Sequence, residues 1–187
     1  MSPQPFWLLA IGLLLSPVAR GETGAVASPA APEARIVKAA YVYNFTKFIE
    51  WATEDGGRDR TATVIVCVLG SDPVGSALDE VASLESKGRP ILVHHVRSGE
   101  RIPACHILYI ATTEAERFDA ILAEVGSAGV LTVSDIPRFA ERGGMIGFAI
   151  ERGRVRIEIN AARIRGSGLR ISSKLLEVAR VVAEGES

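Results

Sequence analysis

The chain is short of the residues on which most enzymes depend. It holds three histidines and two cysteines in 187 residues. His94 and His95 are adjacent in an apolar stretch that reads as a strand, so their side chains diverge and cannot share a metal ion. His106 and Cys105 diverge in the same way. There is no G-x-S-x-G elbow, no H-E-x-x-H pair and no complete phosphate loop. The nearest glycine pattern, Gly70 to Ser76 (GSDPVGS), lacks the lysine that would reach a phosphate, and Gly166-Ser167-Gly168 follows no parallel strand. Asp72, Asp79 and Glu80 fall near the end of a predicted strand, but a helix cap accounts for the first and a solvated helix face for the others. The expectation is a protein without catalytic residues, metal or cofactor.

An excess of one charge is also missing. The 21 Lys and Arg against 22 Asp and Glu leave a net charge of -1, and no nucleic-acid partner is expected. Only one long apolar run occurs, Phe6 to Leu15, and its ten residues are too few to span a bilayer as a helix. It reads as the core of a signal peptide, although the preceding MSPQP has no Lys or Arg. Ala25-Val26-Ala27 supplies a cleavage pattern. Residues 1–27 are accordingly expected to be a signal peptide, 28–32 a flexible leader, 33–183 the folded domain and 184–187 a tail. In an exported chain an even cysteine count favours one bridge, Cys67 with Cys105, with two buried thiols as the alternative.

What the sequence does have is a concentration of rings. KAAYVYNFTKFIEW, residues 38–51, carries five of the eleven aromatic side chains. Val37, Tyr41, Phe45, Phe48 and Ala52 recur at helical spacing and predict an amphipathic helix with that stripe in the core. Tyr43, Lys47 and Trp51 fall at the flanks of the stripe and are candidates for partner contact.

After residue 57 strand and helix signals alternate. Thr63 to Leu69, Ile91 to Val96, His106 to Ala111 and Val130 to Val133 read as strands. Helices are predicted from Asp72-Pro73 towards Lys87-Gly88, over Phe118 to Val125, briefly around Pro137 to Arg142, and from Ser172 to Ala183. Met145 to Ile150 and Val155 to Ile159, joined by Glu151-Arg152-Gly153, predict an antiparallel hairpin. The fold class is α/β: a single-domain mixed sheet, mostly parallel, with an antiparallel hairpin and flanking helices.

One stretch is strongly basic. Between Glu151 and Lys174, Arg152, Arg154, Arg156, Arg163, Arg165, Arg170 and Lys174 face only Glu151 and Glu158, an excess of five positive charges (seven against two). Arg154, Arg156, Arg163, Arg165 and Arg170 are therefore candidates for holding an anionic ligand or an acidic partner surface; the alternative is a solvated strand face.

Several segments together resemble the YfiR-like family of periplasmic proteins: KAAYVYNFTKFIEW at 38–51, VCVLGSDPVG at 66–75, ACHILYIA at 104–111, VLTVSD at 130–135, FAERGGMIGF at 139–148 and the run from Arg154 to Val182. The resemblance implies a non-enzymatic regulator that binds the periplasmic sensor region of an inner-membrane diguanylate cyclase and lowers cyclic di-GMP. It also implies homodimers and an outer-membrane lipoprotein as a further partner, and it places Cys67 and Cys105 at the family's disulfide positions. Ala52 stands where the family has proline, Gly147 where asparagine is common, and a second cysteine pair near Gly143-Gly144 is absent. A receptor for a small anionic molecule is the rival expectation.

Overall fold

A computed structural model describes residues 31–51, 63–71, 73–82, 84–126, 129–183 and 185. The signal peptide predicted over 1–27, the start of the leader, Ala52 and the Asp72 cap lie outside these residues. Among the described residues no helix is long and apolar enough to cross a membrane.

Among the described residues ten strands and five α-helices alternate. They are α1 (Ala31–Phe48), β1 (Ile49–Glu50), β2 (Val64–Leu69), α2 (Pro73–Val81), β3 (Glu85–Ser86), β4 (Arg89–Val96) and β5 (Ile107–Ile110). After a 3-10 helix over Thr112–Arg117 come α3 (Phe118–Val125), β6 (Leu131–Ser134), β7 (Ile146–Glu151) and β8 (Arg154–Ile159). The chain closes with α4 (Ala161–Gly166), β9 (Arg170–Ile171), α5 (Ser173–Glu177) and β10 (Arg180–Val181). Eight strands form one sheet in the order β10-β8-β7-β6-β5-β2-β4-β3, and β1 pairs with β9 separately. All neighbours in the large sheet are parallel except β7 with β8 and β3 with β4. This is the mixed, mostly parallel α/β architecture expected from the alternation of apolar runs.

The central strands are apolar on both sides because both faces are covered. Val66 and Val68 of β2 join α1 and α2 in one core, with Val42, Phe45 and Leu78. Cys67 and Leu69, pointing the other way, pack with Phe118 and Ile121 of α3 in a second core. Cys67 is bonded to Cys105 across a separation of 38 residues, with Cα atoms 6.0 Å apart, so β2 is tied to the segment entering β5.

Five expectations require correction. The buried stripe of α1 is Ala39, Val42, Phe45 and Thr46, continued by Ile49, while Val37 is 41% exposed and Tyr41 and Phe48 are half-buried. Phe45 holds its expected place in the core, while Tyr41 sits at the side of the stripe, its ring centroid 6.0 Å from that of Phe148. Trp51 is not at a flank: the helix ends at Phe48, and the indole is buried at 8% exposure.

The helix after Pro73 stops at Val81 because Lys87 and Gly88, at φ 53° and 76°, turn β3 back onto β4. Pro137 to Arg142 forms turns without a helix, with Arg138 at φ 58°. The last predicted helix covers only Ser173–Glu177, since Arg180 and Val181 are drawn into β10 alongside β8.

Candidate functional site

In an open α/β sheet the usual ligand crevice lies outside the carboxyl ends of the strands, where the strand order reverses. Here that point falls between β2 and β5, and the chain's own side chains fill it. The backbone N–H of Ser71 donates to Thr113 Oγ1 at 3.2 Å, and a Cβ on Gly70 would come within 2.7 Å of that oxygen. Glu114, buried, accepts from Ser98 Oγ and from Arg117 Nη1, each at 3.0 Å. The crevice is closed by internal hydrogen bonds.

Space opens further along the same end of the sheet. Gly147 of β7 is level with Ser134, the last residue of β6, so β7 runs on to Glu151 without that neighbour and the hairpin projects. Its two-residue turn puts Arg152 at φ 48° and Gly153 at φ 76°, a conformation in which glycine is unstrained. The pairs Ile146 with Ile159, Phe148 with Ile157 and Ile150 with Val155 lie on the face that meets α1. Ala149 with Arg156 and Glu151 with Arg154 lie on the other.

Helix α1 is held over this end by a mostly buried ion pair. Lys38 Nζ bonds to the Asp135 carboxylate, which also accepts from Tyr109 Oη at 3.0 Å. Between its first turns and β8 is a cavity of about 340 Å³, lined by Glu33, Ala34, Val37, Tyr41 and Gly153 to Arg156. Beside it Ile36 and Ile150 are 52% and 48% exposed. Arg156 is 3.8 Å from Glu151, and Arg154 has no ion-pair partner among the described residues. Arg180 is held charged above its ordinary range by its hydrogen bond to the buried Glu158 and by that carboxylate's charge. The site is an apolar groove rimmed by arginine.

The basic stretch of the sequence is thus divided in space. Arg154 and Arg156 rim the groove, but β8 carries the chain roughly 17 Å to the other end of the sheet before α4 begins. Arg163 and Arg165 lie on α4, and Arg170 stands opposite Glu50 in the small β1–β9 sheet.

Tyr43 and Lys47 lie on the last turns of α1, where the helix meets β3. The Tyr43 hydroxyl donates to Glu85 O at 3.0 Å beside β3, and Lys47 Nζ lies 4.1 Å from the Tyr43 ring centroid. Trp51 Nε1 donates to His106 O at 3.0 Å, and its ring meets the His106 ring edge-on. The N–H of Ile65 donates to His106 Nδ1 at 3.0 Å, and Arg89 Nη2 lies 3.4 Å from His106 Nε2. His95 Nε2 is 2.8 Å from Asp79 Oδ1 on the exposed surface, and among the described residues no three acidic, histidine or cysteine groups are placed to hold a metal.

A family model described as YfiR/HmsC-like matches residues 35–180. The chain belongs to that family. No curated protein matches it. In this YfiR/HmsC-like chain the sequence pointed to Arg154 and Arg156 but not to the other wall of the groove. Ile36 and Val37 precede the aromatic stretch, and Lys38 and Asp135 are 97 positions apart, beyond the reach of any local pattern. The signal for Arg180 and Glu158 was equally absent, since β10 could be read only as helix.

Proposed function

We propose that the chain is a periplasmic repressor that binds the sensor region of an inner-membrane diguanylate cyclase and lowers cyclic di-GMP output. Membership in the YfiR/HmsC-like family points to regulation of diguanylate cyclase signalling in the periplasm, by binding rather than catalysis. The observation that carries the reading to this chain is the groove between α1 and the projecting hairpin. It combines exposed Ile36, Val37 and Ile150 with Arg154 and Arg156, the pairing of apolar anchors and arginine that protein interfaces favour. The proposal includes a homodimer and an outer-membrane lipoprotein as further partner.

The test is to delete the gene and measure cyclic di-GMP, then restore it with the wild-type chain or with Arg154→Glu/Arg156→Glu. A rise on deletion, reversed by wild type and not by the double variant, is expected. An unchanged level on deletion overturns the repressor reading. Both substitutions are on the surface, so the variant's stability should stay within about 0.5 kcal/mol of wild type.

A second reading rests on the same cavity. Its volume of about 340 Å³ falls within the range of small-molecule sites, and two arginines at its rim suit an anion. A ligand bound only by the native chain raises its melting temperature, so carboxylates and nucleotides that leave it unmoved count against a receptor role.

A further inference from the structure

The groove runs beside an open sheet edge. On its outer side β8 pairs with β10 only at Glu158 and Ile159, and Val182 N donates to Ile159 O at 2.9 Å. In an antiparallel ladder residues alternate between those bonded to the partner strand and those whose N–H and C=O point away. A two-residue turn makes Glu151 and Arg154 a bonded pair, so Val155 and Ile157, like Ile159, turn their backbone groups outward. Among the described residues no strand pairs with the Val155 N–H and C=O or the Ile157 N–H before β10 takes over.

We propose that this edge accepts an extended segment of the partner as an additional strand, and that the segment alternates apolar and acidic residues. The inference rests on the protein-binding reading above and names its mode. A strand added at an edge keeps the side-chain alternation of its neighbour. Its positions beside Val155 and Ile157 face α1 and enter the groove lined by Val37 and Tyr41, so they must be apolar. The intervening positions fall beside Arg154 and Arg156, where carboxylates find guanidinium partners. Glu33, the one acid lining the groove among the described residues, stands on the α1 wall and disfavours acids there. Main-chain bonds supply generic affinity, and the two faces select the sequence.

The test uses the full exported chain and two capped synthetic peptides of equal composition, one alternating Glu with Leu and Val, the other with the acids and the apolar residues in separate blocks. The alternating peptide should bind at least about tenfold more tightly and should protect the Val155 and Ile157 amides from hydrogen exchange. Val155→Pro removes an outward N–H while leaving the bonds to β7, and should weaken binding about tenfold. Should that variant misfold, Arg154→Glu/Arg156→Glu must abolish the preference for the alternating peptide. Equal binding of the two peptides, or no protection at the two amides, overturns strand addition. The cyclic di-GMP response to gene deletion is independent of either result, so loss of this mode and loss of the repressor reading are separately visible.

Discussion

Reducing the Cys67–Cys105 bridge should remove a large part of the stability of the fold. The bridge closes a loop of 38 residues, and the chain-entropy relation for a loop of that length gives about 4 kcal/mol at 25 °C. Domains typically have a margin of about 5–15 kcal/mol. At about 2–4 °C per kcal/mol for a chain of this size, the melting temperature should fall by roughly 8–16 °C. The structure adds a second signature. Because the bridge acts on the unfolded ensemble, the reduced chain should expose more surface on unfolding and show a steeper urea dependence. Urea and thermal unfolding of oxidised and reduced protein, with Cys67→Ala/Cys105→Ala under both conditions, would separate loss of the cross-link from loss of packing by the buried Cys67. The double variant should be indifferent to reductant. Coincident curves for oxidised and reduced wild type would refute the reasoning, because they would mean that tying β2 to the entry of β5 restricts the unfolded chain no further.

Two more outcomes follow from the core. Trp51→Phe keeps a ring against His106 but removes the indole donor from His106 O, which retains the Leu131 N–H, so a loss of about 1 kcal/mol in urea denaturation is expected; no loss would mean that the indole bond contributes nothing. Asp135→Ala strands the Lys38 ammonium and removes an acceptor from the Tyr109 hydroxyl, and should cost about 2–4 kcal/mol, more than Lys38→Met, while Lys38→Met/Asp135→Ala should cost less than the sum of the single changes. Additive losses in that double-mutant cycle would show that the pair does not hold α1 down.

Much of the framework was legible because its causes are local. A parallel strand covered on both faces is largely apolar, and Val64–Leu69 and Ile107–Ile110 announce themselves that way. The hairpin was equally plain, since a positive-φ turn residue between two runs of β-branched side chains admits few other structures. The rotation of α1 was not legible. Large rings at helical spacing look like the centre of a buried stripe, but of Tyr41, Phe45 and Phe48 it is Phe45 that is fully buried, beside Ala39 and Val42, while the other two are half-buried. Trp51 was misplaced for a related reason: helical spacing stops applying once the helix ends at Phe48.

By itself, then, the amino-acid order determined the alternation of elements, the α/β class, the cysteine pair and the presence of arginines on the hairpin, because each depends on neighbours within a few residues or on composition. Only the tertiary structure decided which arginines act together. The length of β8 carries Arg154 and Arg156 away from Arg163, Arg165 and Arg170, and the pairing of Lys38 with Asp135 brings the start of α1 against the hairpin to make the groove. Sheet order and long-range pairing are set by which apolar faces can be buried simultaneously, and that condition involves the whole chain at once.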